Sequence, residues 1–186
     1  MTLWLVVLLV VAAGTVVVYN GLVRLRVRSE NAWADIDVQL KRRYDLIPNL
    51  VETVKGYASH ERETLEAVIE ARNRAMGAAG PAAKAQAEGA LTNALKSLFA
   101  LAEAYPQLRA VESFTQLQGT LQDIEEAVQN ARRYYNAVVR DLNTKIDQFP
   151  SNLVARAFRF EKEEFFELTD ETQREAPRVR FDETGD

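Results

Sequence analysis

The first 23 residues carry no charged side chain, and residues 3–18 are nearly all Leu, Val, Ala and Trp. A helix rises ~1.5 Å per residue, so ~20 such residues cross a hydrocarbon core of ~30 Å. Residues 1–23 therefore read as one transmembrane anchor, with Trp4 and Tyr19 near its two ends, where amphipathic aromatic rings favour the interface. Ala12-Ala13-Gly14 resembles a signal-peptidase site. Against cleavage, no Lys or Arg precedes the apolar run, and Val16, Val17 and Val18 carry it past that point.

Beyond the anchor, apolar positions keep a helical rhythm. Leu22, Leu25, Ser29, Trp33, Ile36, Leu40 and Tyr44 are spaced 3, 4, 4, 3, 4, 4, with Ser29 the one polar member. This spacing predicts that the anchor helix runs on without a break into a first bundle helix over residues 22–57, kinked near 44–48 by Pro48. A second helix is expected over 60–77, with Ser59 as its cap and Leu65, Val68, Ile69, Arg72 and Met76 on its face. Two glycines and Pro81 end it. A third is expected over 82–105, with Ala87, Leu91, Ala94, Leu98, Leu101 and Tyr105 on its face. The fourth is the clearest: Phe114, Leu117, Leu121, Ile124, Val128, Ala131, Tyr135, Val138 and Leu142 alternate 3 and 4, a coiled-coil-like seam within 110–149.

The fold class expected is all-α: an N-terminal transmembrane helix continuing into an antiparallel up-and-down four-helix bundle (residues 24–168) with long first and last helices. A competing topology merges the first two helices into one rod and sends the end of the fourth away from the membrane. An aromatic segment follows at 151–168, and a polar, loosely ordered tail at 169–186, in which residues 177–181 form a short extended candidate.

Composition narrows the chemistry. A net charge of −4 argues against nucleic acid as a partner. The chain has no cysteine, and His60 is its sole histidine, so thiolate nucleophiles, cysteine-ligated metals and multi-histidine sites are excluded within one chain. His60-Glu61 reads as a surface or capping pair. No phosphate-binding loop, dinucleotide fingerprint, nucleophile elbow or zinc-protease motif occurs. The expectation is a non-enzyme with no catalytic residue, cofactor, metal or small-molecule substrate.

Charge next to the anchor predicts its orientation. Arg24, Arg26 and Arg28 follow the span at once, then Lys41, Arg42 and Arg43. Translocating this cluster is disfavoured, which puts the bundle in the cytoplasm and the short N-terminus outside a bacterial inner membrane crossed once. Arg24, Arg26 and Arg28, with Phe158 and Phe160 of the aromatic segment to which the fourth helix returns, form a candidate membrane-proximal contact. Phe158 is expected near residues 24–29, either touching lipid or capping the bundle. Arg42, Arg43, Asp45 and Asn49 form a second candidate: a structural polar network, in which Asp45 accepts from backbone around Pro48 and the arginines pair with acids on facing helices, or a docking surface for a protein partner.

Several words of this sequence resemble the LemA family of bacterial membrane proteins. The most specific is Arg42-Arg43-Tyr44-Asp45-Leu46-Ile47-Pro48-Asn49-Leu50, which begins at Trp33-Ala34-Asp35 and continues through Val54-Lys55-Gly56-Tyr57-Ala58 to His60-Glu61. Val68-Ile69-Glu70-Ala71-Arg72, Ala131-Arg132-Arg133-Tyr134-Tyr135-Asn136 and Phe149-Pro150 also match. Leu142-Asn143 stands where the family often has a second Tyr-Asn, and Phe158-Arg159-Phe160 where it often has Phe-Gly-Phe. The resemblance implies a four-helix bundle on a single anchor, with the bundle cytoplasmic. It implies no settled activity, although some relatives are tied to building internal bacterial membranes. The function expected is a membrane-anchored scaffold or adaptor that organises the lipid bilayer or an unidentified protein partner, with a homo-oligomer among the arrangements allowed. The alternative is an accessory subunit that modulates a membrane enzyme such as a protease.

Overall fold

A computed structural model describes residues 2–167; the tail 169–186, including the extended candidate 177–181, lies outside the described residues. The described residues are all-helical with no strand: α1 (Thr2–Lys55), α2 (Arg62–Gly77), α3 (Pro81–Glu103), α4 (Pro106–Arg109), α5 (Glu112–Asp147) and α6 (Ser151–Ala157).

At ~1.5 Å per residue the 54 residues of α1 extend about 80 Å. Two environments divide it. Leu3 to Val11, and Val16 and Val17, are exposed apolar side chains. From Leu22 onward one face is buried: Leu22, Ser29, Ala32, Ile36, Leu40, Tyr44, Ile47, Leu50 and Val54. Ser29 fits this stripe because its hydroxyl donates to the Arg26 carbonyl at 2.8 Å, which satisfies it without a partner helix.

The helix also continues through Pro48. Proline lacks the N–H that would bond the carbonyl four residues earlier, that of Tyr44. Arg72 of α2 fills the vacancy, its Nε donating to the Tyr44 carbonyl at 2.7 Å. The proline thus creates the acceptor on which α2 docks. Residues 56–61 are not helical, so α1 and α2 are separate, and α2 folds back on α1.

The α5 helix packs along α1, and its contacts pair low numbers in one with high numbers in the other: Leu22 clusters with Leu142, the Trp33 and Tyr135 rings pack at a tilt, and Arg43 meets Glu125. Phe114, Leu121, Ile124, Val128, Tyr135, Val138 and Leu142 are buried as the seam predicts, with Leu117 and Ala131 half-buried. α2 and α3 pack on each other across a tight turn in which Gly80 takes φ +80°, a conformation glycine adopts without a Cβ clash.

Several local expectations need correction. Ser59 does not cap α2; the helix begins at Arg62 and the residue before it makes no side-chain capping bond. Met76 is exposed and Arg72 half-buried, while Ala71 and Ala75 hold the buried positions. In α3, Glu88, Leu95 and Ala102 are buried where Ala87, Ala94 and Leu101 were expected; only Leu91 and Leu98 are common to both sets. Alanine-rich helices give little contrast between faces, so the register there is set by larger side chains on facing helices. The fourth bundle helix, Glu112–Asp147, lies two residues inside the expected 110–149 at each end, and Pro106–Arg109 forms a separate short turn before it.

Candidate functional site

Three features stand out: a buried ionic node, a foot where the chain reverses next to the apolar end of α1, and a clamp on the segment that follows.

Arg43 enters the interior and is 4% exposed. One of its guanidinium nitrogens donates to Glu88 of α3 at 2.7 Å; the other donates to the Thr92 hydroxyl at 2.9 Å and forms an ion pair with Glu125 of α5, also at 2.9 Å. Glu88 is 5% exposed and also accepts from the Tyr44 hydroxyl. Burial, and then the hydrogen bond to Glu88, raise the Tyr44 hydroxyl far above its ordinary range, so it stays a donor. A planar fork with several fixed donors suits one cation facing two carboxylates on different helices. The node ties α1, α3 and α5 at one height. Beside it a cavity of about 450 Å³ lies between α3 and α5, with Arg43, Leu95, Phe99 and Leu121 among its walls.

The other members of the predicted polar group do not join it. Arg42, Asp45 and Asn49 are exposed; among the described residues Arg42 donates only to Gln39 on the preceding turn, at 3.3 Å, and Asn49 contributes its backbone carbonyl to Thr53. Asp45 is exposed on α1 and, among the described residues, accepts no hydrogen bond from the backbone around Pro48. Sequence reading found Arg43 by polar density but missed Glu88, Glu125 and Arg72. An acid in an alanine-rich helix has no local signal, and its partner lies 45 residues away.

At the foot, Phe149-Pro150 ends α5 and α6 turns back against both α5 and α1. Leu22, Leu142 and Ala155 form a small core separate from the main one, with Val18, Leu25, Val154 and Phe160 around it. Arg24, Arg26 and Arg28 are all exposed. The Arg26 guanidinium lies over the Phe160 ring at 5.1 Å, and Phe158 packs on Tyr19 with ring centroids 4.8 Å apart. Phe158 therefore sits nearer the apolar stretch than residues 24–29, at Tyr19. Phe160 is half-buried and Phe158 is 54% exposed, so only the first covers the bundle end.

After Phe160 the chain is extended along the bundle. The Asn143 side chain donates to the Glu163 carbonyl and accepts from the Glu163 N–H, both at 2.9 Å. Asn136 does the same for Phe166, at 3.1 and 2.9 Å. The match is geometric: seven helical residues span about 10.5 Å and three extended residues about 10 Å, so two asparagines a heptad apart meet backbone groups three residues apart. The Tyr135 hydroxyl donates to the Glu164 carbonyl at 2.9 Å, and Phe166 is buried against Trp33. Burial, then the charges of Glu163 and Glu164, push the Tyr135 hydroxyl up to about 12. The two family words at 134–136 and 142–143 share these asparagines, which explains why Leu142 can replace a tyrosine there. Arg159 takes φ +55°, a left-handed conformation, which accounts for the glycine the family often carries between the two phenylalanines.

A model described as the LemA family matches residues 32–181. Magnetosome protein MamQ 2 of Paramagnetospirillum magneticum is 25% identical over 175 residues, covering 80% of this chain and 64% of that protein. Magnetosome protein MamQ of Magnetospirillum gryphiswaldense is 24% identical over 174 residues, with the same coverage. Protein LemA of Metamycoplasma hominis is 26% identical over 141 residues, covering 74% of this chain and 63% of that protein. The chain thus spans a little under two thirds of the length of these relatives. The family match contains the node and both clamp asparagines; the apolar stretch of α1 precedes it and is independent evidence.

Proposed function

The chain belongs to the LemA family, and from that premise we propose that it is a non-catalytic scaffold or adaptor held at the bacterial inner membrane by α1. In this reading residues up to about Tyr19 cross the bilayer once, the N-terminus is outside, and α1, α2, α3 and α5 form an antiparallel four-helix bundle in the cytoplasm. The observation that carries it is the change of environment along one unbroken helix. The apolar window of α1 has a mean hydropathy of 2.5 and none of it is buried, whereas Leu22 begins a face that is. No bundle helix covers those first turns, and lipid is the solvent that side chains of this kind require. The three exposed arginines that follow favour the side where translocation is avoided. Two relatives are named as magnetosome proteins, which supports a role at a membrane.

The node and the clamp hold this bundle in one shape, as a platform requires. The test is cross-linking of the full-length protein in its native membrane, then purification in mild detergent and mass spectrometry. Self-association with retained lipid is the result expected of a scaffold. A stoichiometric membrane protease in the same complex would replace this reading with the accessory-subunit one.

A further inference from the structure

The outer side of the foot presents large apolar side chains to solvent: Phe149 is 74% exposed, Leu153 58% and Phe158 54%. A reversal of chain at the end of a helix would ordinarily be polar, and these three have no partner that removes them from water. Their height along α1 is fixed by contact. Phe158 lies on Tyr19, two residues after the exposed Val17, and the Lys145 amine lies against Gly21. The exposed apolar surface of α1 and that of the foot are therefore continuous, and whatever covers Val16 and Val17 meets Phe158 within one helical turn, ~5 Å.

Charge around the foot is sorted in the same direction. Arg156 and Arg159 are exposed beside the phenylalanines. Asp147 is engaged by Lys162 at 2.7 Å. Of the acids that follow, Glu161 stays exposed next to Phe160, while the clamp holds Glu163 at Asn143 and the Glu164–Phe166 stretch at Tyr135 and Asn136, up to two or three helical turns further from the apolar end of α1.

We propose that the α5–α6 turn is a second, peripheral membrane contact, in which Phe149, Leu153 and Phe158 enter the interface of the leaflet on the bundle side, beside Tyr19. Arg156, Arg159 and Lys145 then stand at the level of lipid phosphates. The bundle is seated on the bilayer and does not swing from a single stalk. This rests on α1 spanning the membrane, and the test separates the two claims.

The chain has no cysteine, so single substitutions give background-free labelling. Full-length Val10→Cys, Phe149→Cys, Leu153→Cys and Met76→Cys proteins, each bearing a nitroxide, are reconstituted into phosphatidylethanolamine/phosphatidylglycerol vesicles. Relaxation by oxygen, which concentrates in lipid, is compared with relaxation by a water-soluble nickel complex. All four positions are exposed, so the substitutions spare the core. Labels at 149 and 153 are expected to show an oxygen-to-nickel ratio several-fold above that at 76 and shifted toward that at 10. A ratio at 149 and 153 equal to that at 76, with 10 in lipid, overturns the foot contact alone. A water-exposed label at 10 overturns the span. Spin–spin broadening at 149 and 153 at high lipid dilution would show a second copy covering the patch and likewise overturn the proposal.

Discussion

Arg43 shows how one side chain can be legible in a sequence while its role is not. It sits among Arg42, Asp45 and Asn49, and nothing local says that it alone turns inward. The decision is made by Glu88 and Glu125, whose carboxylates need a cation once α3 and α5 are in place. Replacing Arg43 by Met should therefore cost about 3–5 kcal/mol, because Glu88 stays buried without its partner, and Arg43→Met/Glu88→Met should recover most of that loss. Denaturant unfolding of the detergent-solubilised protein measures both. Arg159 is strained in the opposite sense. A residue with a Cβ spends ~1–2 kcal/mol in the left-handed region, of which glycine's extra chain entropy returns ~0.5–1, so Arg159→Gly should raise stability by about 0.5–1 kcal/mol in the same assay. Tyr135 gives a pH signature. Its hydroxyl is raised from 10.0 to about 12 in the folded chain, so the folded state holds the proton more tightly. Its contribution is present in full below pH 10 and is lost as pH rises through about 12. Tyr135→Phe should flatten the alkaline fall in melting temperature over that window.

At the scale of elements, α1 and α5 were readable because large apolar residues alternate with charged ones over many turns. The buried faces of α2 and α3 were readable only at Leu65, Val68, Leu91 and Leu98; elsewhere alanines on both faces leave the phase to be chosen by Arg43 and the aromatic rings of α5. Pro48 removes one backbone hydrogen bond, as its position in the sequence predicts, but the partner that replaces that bond lies 28 residues away and has no local signal. The vacant Tyr44 carbonyl is filled from another helix, by the Arg72 guanidinium. This coupling is testable. Arg72→Leu should cost about 1–3 kcal/mol in the natural chain, where it orphans a carbonyl. In a Pro48→Ala background the restored N–H at 48 supplies that bond, and the same substitution should cost about 1 kcal/mol less. A double-mutant cycle by urea unfolding reads the difference directly.

At the scale of the whole molecule, an ~80 Å helix that is exposed and apolar at one end and core-like at the other would, in the proposed reading, tie the height of the bundle to the bilayer. In the proposed orientation, protease added to intact spheroplasts leaves the bundle undigested until the cells are lysed. Digestion without lysis would place the bundle outside. The clamp adds a mechanical property to this design. Asn136 and Asn143 grip main-chain atoms, so the grip is indifferent to which side chains occupy 161–165 but not to an imino acid at 163 or 166, where the N–H is required. Its two rungs lie along the bundle axis, in the direction the chain runs. A load applied to Glu167 along that axis strains both rungs at once, in shear, whereas a load applied sideways opens the Phe166 rung first and then the Glu163 rung, as a zip fastener opens. The same four hydrogen bonds thus resist force strongly in one direction and weakly in another.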